Sequence, residues 1–213
     1  NTGSGVPLSL ATGERLANAP RVDGVVLAAL PDGTGGWYLG GQFTRVGGFA
    51  RSNLAHLRAD LSVDGFAPEP NGAVLALAMS DGRLVVGGSF TSIGGASRSN
   101  LAALDPATAL ATGWAPQASG PVQALVVNGE TILAGGQFLA IGGQSRRRLA
   151  ALDAQSGTAS AWNPDISGFV QSLVLANGTL YIGGGFNAVG GVPRANLAAV
   201  DTTSGAVTSW TCN

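Results

Sequence analysis

The chain contains no lysine; all 11 of its basic residues are arginine. Without lysine, no phosphate loop of the form G-x-x-x-x-G-K-[ST] can be written. It has one histidine, His56, and one cysteine, Cys212. A zinc or copper site therefore cannot be assembled from the usual ligands. A Ser-His-Asp set has only His56 to build on, and no carboxylate partner is visible, so His56 is read as strand surface. No disulfide can form within the chain, which excludes the small disulfide-stapled scaffolds. Cys212 is expected to be free, and a bridge to a second chain is its candidate role in assembly.

Charge is scarce too. Charged residues make up 11% of the chain, about half the usual share. The net charge is -1, so no global field draws the chain to nucleic acid or an anionic membrane. The only basic cluster, Arg146-Arg147-Arg148, reads as a solvated loop end. No apolar run approaches the length of a membrane-spanning helix. The chain begins with Asn1 and shows no signal peptide, which suggests a processed or excised piece. One methionine and no lysine suggest a GC-rich genome. The sequon Asn177-Gly178-Thr179 is read as a turn. The aspartates show no calcium-loop spacing, and no cofactor is expected.

What the chain does have is a repeat. Pro20, Pro68, Pro116 and Pro164 follow one another at 48 residues, and Cys212 takes the next slot. Phe43, Phe90, Phe138 and Phe186 follow at steps of 47, 48 and 48. The 34 glycines fall in the same register, which marks turns and close backbone approaches rather than low complexity. A period in this range belongs to propeller blades and other stacked units.

Each block offers four short runs with strand patterning. In the third they are Val122–Val127, Thr131–Ala134, Leu149–Asp153 and Thr158–Trp162. The first two runs are joined by Asp81-Gly82, Asn128-Gly129 and Asn177-Gly178 in successive blocks, pairs that favour tight antiparallel hairpins. The earliest block has a longer version, Asp32-Gly33-Thr34-Gly35-Gly36. Ser156-Gly157 and Ser204-Gly205 join the last two runs, and Thr12-Gly13 repeats that pair near the N-terminus. The expected fold is all-β: a β-propeller of four-stranded antiparallel blades. A β-solenoid is the alternative, but its rungs pair in parallel.

The pattern G-G-x-F-x-x-x-G-G-x-x-R-x-N-L-A-A-L-D-x-x-x-G-x-x-x-x-W-x-P resembles the delta-60 type of β-propeller repeat, found in bacterial surface and secreted proteins, and more distantly kelch repeats. The resemblance runs from about Leu8 to Trp210. It implies a propeller fold and an extracellular or cell-surface setting, and it brings no shared catalytic residues.

The blocks divide the chain into about four and a half repeats: 1–24 as the last two strands of an incomplete blade, then blades at 25–72, 73–120, 121–168 and 169–213, all one domain. The unpaired half blade is a candidate surface for self-association. It could belong to a longer chain, take strands from a partner, or pack against the last blade.

Arg51, Arg98, Arg146 and Arg194 share one slot, and Asp105, Asp153 and Asp201 another. Slots that recur in every blade point to architecture, here Arg–Asp or Arg–carbonyl locks. Their sharper reading is an arginine ring that grips a carboxylate or sugar acid. Trp114, Trp162 and Trp210 share a slot read as core between blades. Trp37 and Tyr38 lie outside it, and Trp37 is the better candidate for an exposed contact. The expected function is non-enzymatic: a secreted or cell-surface module for adhesion, or for binding a protein or glycan partner. A structural subunit of a fibre or pilus-associated assembly is the alternative.

Overall fold

The computed structural model describes Thr12, Glu14, Leu16 and residues 19–211. Those residues contain strands and turns and no helix, so none is long and apolar enough to cross a membrane.

Four antiparallel sheets follow one another along the chain. The first holds β1 (Val22–Pro31), β2 (Trp37–Val46), β3 (Phe49–Ala50) and β4 (Leu54–Leu57). The second holds β5 (Ala73–Ser80), β6 (Arg83–Ser89) and β9 (Leu101–Leu104), with a small ribbon of β7 (Ser92–Ile93) and β8 (Ala96–Ser97). The third repeats this with β10 (Val122–Asn128), β11 (Thr131–Gly136) and β14 (Leu149–Asp153), and the ribbon β12 (Ala140–Ile141) and β13 (Gln144–Ser145). The fourth does so with β15 (Phe169–Ala176), β16 (Thr179–Gly185) and β19 (Leu197–Asp201), and the ribbon β17 (Ala188–Val189) and β18 (Val192–Pro193). These are successive propeller blades. β1 begins at Val22, slightly ahead of the boundary expected at Val25.

Three details differ from the expected meander. The fourth run of each blade joins by one bridge rather than a ladder: Leu57 with Val63, Leu104 with Ala111, Leu152 with Ala159, Val200 with Val207. Its backbone soon leaves the sheet to carry the Trp-x-Pro end into the next blade. Second, the F-x-x-x-G-G-x-x-R link is itself structured. Ser92 pairs with Ser97 and Ile93 with Ala96, around Gly94 and Gly95 at φ 58° and 75°. Third, the hairpin in the third blade turns on Gly129-Glu130, because Asn128 already pairs with Thr131. Glycine at the first central position suits a II′ turn, whereas Asp81-Gly82 and Asn177-Gly178 have positive φ at both positions, as type I′ requires. The turn reading of the sequon Asn177-Gly178-Thr179 is thus the observed one.

The core lies between blades. One buried cluster joins Val85, Leu101 and Trp114 of the second blade to Val122, Ile132 and Phe138 of the third. Another joins Leu133, Leu149 and Trp162 to Val170, Ile182 and Phe186. The four repeat phenylalanines are all buried. First strands pack on first strands, β1 on β5, β5 on β10 and β10 on β15, so they converge and leave the fourth runs at the rim. The two end sheets show apolar residues to solvent: Val25 and Leu27 on β1, and Phe169 and Val174 on β15, Val174 being 61% exposed.

Candidate functional site

Three of the first blade's departures from the repeat are brought together by the structure. His56 occupies the slot of Ala103, Ala151 and Ala199. Asp64 occupies the slot of Thr112, Ser160 and Thr208, whose hydroxyls accept from the amides of Trp114, Trp162 and Trp210. Asp64 keeps that turn bond through Oδ1, which accepts from Phe66 N at 2.9 Å, and has Oδ2 to spare. Asp32 opens the long hairpin loop peculiar to this blade, held by Thr34 N and Gly36 N on Oδ1 at 2.7 and 2.8 Å.

His56 links the two carboxylates. Its Nδ1 lies 2.6 Å from Asp64 Oδ2 and its Nε2 2.9 Å from Asp32 Oδ2. Ionised carboxylates only accept, so the arrangement is satisfied when both ring nitrogens carry hydrogen. All three side chains are largely buried. β2 pairs with β4 so that Tyr38 sits opposite His56, and the two rings stack with centroids 4.5 Å apart. Phe66 meets Tyr38 edge-on at 5.4 Å. Burial pushes the Asp32 carboxyl up, but hydrogen bonds from Thr34, His56 and Gly36 outweigh it, and its pKa falls well below the usual range. Asp64 is lowered in the same way: burial opposes, and His56 and the Phe66 amide prevail. Burial and the two nearby carboxylates raise the Tyr38 phenol.

The expectation for His56 is therefore corrected: it is mostly buried and bonded to two carboxylate partners, not bare strand surface. The readable signal was the departure from register, a histidine and an aspartate where every other blade carries small neutral residues. Both ring nitrogens are engaged, so the ring offers neither a free base nor a free ligand. Among the described residues, no group of three or more His, Cys, Asp and Glu is arranged to hold a metal.

Two of the candidate binding residues join this cluster. Arg51 donates from Nη2 to the carbonyl of Asp64, and Tyr38 is the stacking partner of His56. Trp37, next to Tyr38 on β2, is 41% exposed. Arg98, Arg146 and Arg194 stand each in its own blade and repeat the Arg51 contacts. Nη1 of Arg98 donates to Ser97 O at 2.8 Å and Nη2 to Thr112 O at 2.6 Å. Arg146 reaches Ser145 O and Ser160 O, and Arg194 reaches Pro193 O and Thr208 O. Each guanidinium thus ties the link ribbon to the fourth run of its own blade. The repeat aspartates do different work: Asp153 Oδ1 accepts from Ser156 N and Asp201 Oδ1 from Ser204 N, fixing the turn between the last two runs. Among the described residues the lock is Arg–carbonyl.

The basic cluster is absorbed into the same framework. Arg146 is the lock, Arg147 faces Asp165 at 3.6 Å, and Arg148 donates to Gln137 O. The blade-end tryptophans act between blades. Trp114 Nε1 donates to Asp153 O, and Trp162 Nε1 to Asp201 O, both at 3.2 Å. Trp210 is 36% exposed and meets Tyr181 edge-on at 5.2 Å. Cys212 lies outside the described residues, as does most of the expected N-terminal half blade.

A cleft of about 620 Å³ opens on the rim where the end of the first blade meets the second. Its walls are Pro68 and Glu69, the Gly94-Gly95 turn, and Thr108 to Leu110. Leu110, 58% exposed, stands at its edge.

Stacked antiparallel blades with locks inside each blade and aromatic contacts between blades define a β-propeller repeat protein. The chain belongs to the family described as outer membrane protein assembly factor BamB, whose sequence model matches residues 10–211. No curated protein matches the chain. Among solved structures it is similar to the computationally designed Ika4 protein, with a TM-score of 0.50 and 10% identity over 83% of this chain and 90% of that one. It is also similar to the computationally designed Ika8 protein, with a TM-score of 0.49 and 13% identity over 87% of this chain. The chain spans 61% of the length of Ika8.

Proposed function

We propose that the chain is a non-enzymatic propeller module that works by binding another protein. The rim cleft between the first and second blades carries this reading. It combines an apolar edge at Leu110 with backbone groups of two turns, the mixture an extended peptide needs to seat a side chain and to hydrogen-bond. Family membership supports it, since the name describes a factor in protein assembly. The non-enzymatic reading is supported by His56, whose two nitrogens are both spent on carboxylates. An extracellular or cell-surface setting and a delta-60 type of repeat belong to the same proposal, and adhesion through protein contacts would be its outcome there.

The test is a panel of extended peptides with alternating apolar residues, measured by fluorescence anisotropy beside a glycan array. Binding to peptides that Leu110→Asp weakens at least tenfold supports the reading. Silence across the peptides with binding to acidic glycans would replace it with the arginine-ring reading.

The exposed apolar residues of the end sheets, Val25 and Leu27 at one end and Phe169 and Val174 at the other, favour a second reading: a structural subunit joined to neighbours in an extracellular assembly. Electron microscopy of the purified protein separates the two, because filaments would favour the subunit.

A further inference from the structure

The rim cleft between the first two blades differs chemically from the equivalent rims further along the chain. Glu69 follows the blade-end Pro68, in the slot of Arg21, Gln117 and Asp165. Glu69, Gln117 and Asp165 share a left-handed backbone, at φ 47°, 52° and 46°. The repeat framework therefore sets how this residue is presented, whatever its side chain. Arg21 faces Asp23 at 2.8 Å, and Asp165 faces Arg147 at 3.6 Å. In the first blade the slot of Arg147 holds Ser52, so Glu69 lacks that counterion. Among the described residues, no cation pairs with its carboxylate.

The opposite wall departs from the repeat as well. Exposed Leu110 stands where the next two blades carry Thr158 and Ala206. The next rim thus offers Gln117 with Thr158, and the one after it Asp165, already paired, with Ala206. A free carboxylate and a large apolar side chain meet only at the first of these three rims. Glu69 is the one charged residue that lines the cleft. The walls are tied to each other: Gly94 N donates to Pro68 O at 2.7 Å, and Ala111 N to Gly94 O at 2.9 Å. A Cβ on Gly94 would stand 2.4 Å from Ala111 N, so the turn is close-packed on the fourth run. The cleft is preformed, and a ligand need not order it.

We propose that this cleft takes an arginine from an extended segment of a partner protein, its guanidinium on Glu69 and its methylene stem, with an adjoining apolar residue, against Leu110. The inference rests on the peptide-binding reading of the cleft and names the residue the peptide must carry. A carboxylate beside an apolar wall suits arginine better than lysine. The planar fork matches both carboxylate oxygens, guanidinium gives up its water more readily than ammonium, and the stem covers apolar surface. The chain's net charge of -1 supplies little long-range attraction, so the preference is local. An acidic glycan, the ligand of the arginine-ring reading, is repelled by Glu69.

The probe is one extended peptide with alternating apolar residues, made in three versions with arginine, citrulline or glutamate at its centre. Binding to the full chain is read by fluorescence anisotropy. Citrulline keeps the shape of arginine and drops its charge. The arginine version should bind about fivefold tighter than the citrulline version, the upper range for a solvent-facing ion pair, and the glutamate version should bind weakest. Glu69→Gln should erase the difference between arginine and citrulline, and it suits the fold, since Gln117 fills that slot in the next blade. Glu69→Arg should make the glutamate version the tightest. Leu110→Thr, which installs the residue of the next blade, should weaken all three versions alike. Equal binding of arginine and citrulline, still weakened by Leu110→Thr, would overturn the arginine preference and leave the cleft a peptide site. An arginine preference that survives Glu69→Gln would overturn the assignment to Glu69. Silence from all three versions would overturn both the preference and the peptide-binding reading beneath it.

Discussion

Gly135 of the third blade lies directly against Val170 of the fourth, so close that a Cβ on the glycine would stand 2.4 Å from Val170 Cγ1. The relation recurs between Gly40 and Val74 at 2.4 Å and between Gly87 and Val122 at 2.9 Å. One missing side chain per blade thus sets how near the next blade can come. Gly135→Ala forces a methyl into a packed boundary and is expected to cost about 2 kcal/mol. In a chain of this length that lowers the melting temperature by roughly 4–8 °C. Adding Val170→Ala should recover part of the loss, because the second change reopens the space. Thermal unfolding of the two variants checks this, and additive losses would show that the contact is not the cause.

The His56 cluster predicts a pH dependence. Asp32 and Asp64 are held below their unfolded values, the former by Thr34, His56 and Gly36, the latter by His56 and Phe66. Their contribution is therefore fully present above an ordinary carboxylate pKa of about 4 and is lost as pH falls through the lower folded values. His56→Gln leaves two mostly buried carboxylates without the ring that bonds both and should cost about 3 kcal/mol at neutral pH. The gap between wild type and variant should narrow as the pH falls from about 4 towards 2. Denaturant unfolding across that range measures it, and a constant gap would exclude the carboxylates as its source.

Much of this framework is legible in the sequence, because a repeat tests its own reading. The hairpin pairs, the buried phenylalanines and the inter-blade tryptophans follow from the 48-residue register. The His56 cluster does not. Asp32 and Asp64 lie 24 and 8 residues from His56, on a loop and on a fourth run, and only the pairing of β2 with β4 brings them together. The arginine slot announces itself, but its partner does not, since a main-chain carbonyl leaves no mark in the sequence. The third hairpin turns on Gly129-Glu130 although Asn128-Gly129 is a good turn pair, because that pair stands one residue before the register position.

Arg148 occupies the slot filled by Asn53, Asn100 and Asn196, and all four have φ between 61° and 70°. Asparagine tolerates this left-handed conformation better than arginine does. It also closes a bond, as Asn100 Nδ2 does to Ala118 O at 2.9 Å. Arg148→Asn gives up the contact to Gln137 O but regains both features. A gain of about 0.5–1 kcal/mol is expected, of the size typical for restoring a repeat consensus. A fall in melting temperature would mean that the Gln137 contact outweighs the backbone preference.

Arg98 separates the architectural reading of the arginine slot from the ligand reading. Its guanidinium spends two donors on the carbonyls of Ser97 and Thr112, and its side chain is half-buried. Charge-assisted bonds to carbonyls that would otherwise go short are worth about 2 kcal/mol together, so Arg98→Ala should lower the melting temperature by roughly 4–8 °C. Lysine brings the charge without the planar fork, cannot reach both carbonyls in the same geometry, and should recover less than half of the loss. A ring of ligand-binding arginines predicts the reverse: unchanged stability, loss of an acidic ligand, and partial function with lysine, since charge would then matter more than the fork. Melting temperatures of the alanine and lysine variants decide between the two, and Arg98→Ala with wild-type stability would return the slot to the candidates for a binding ring.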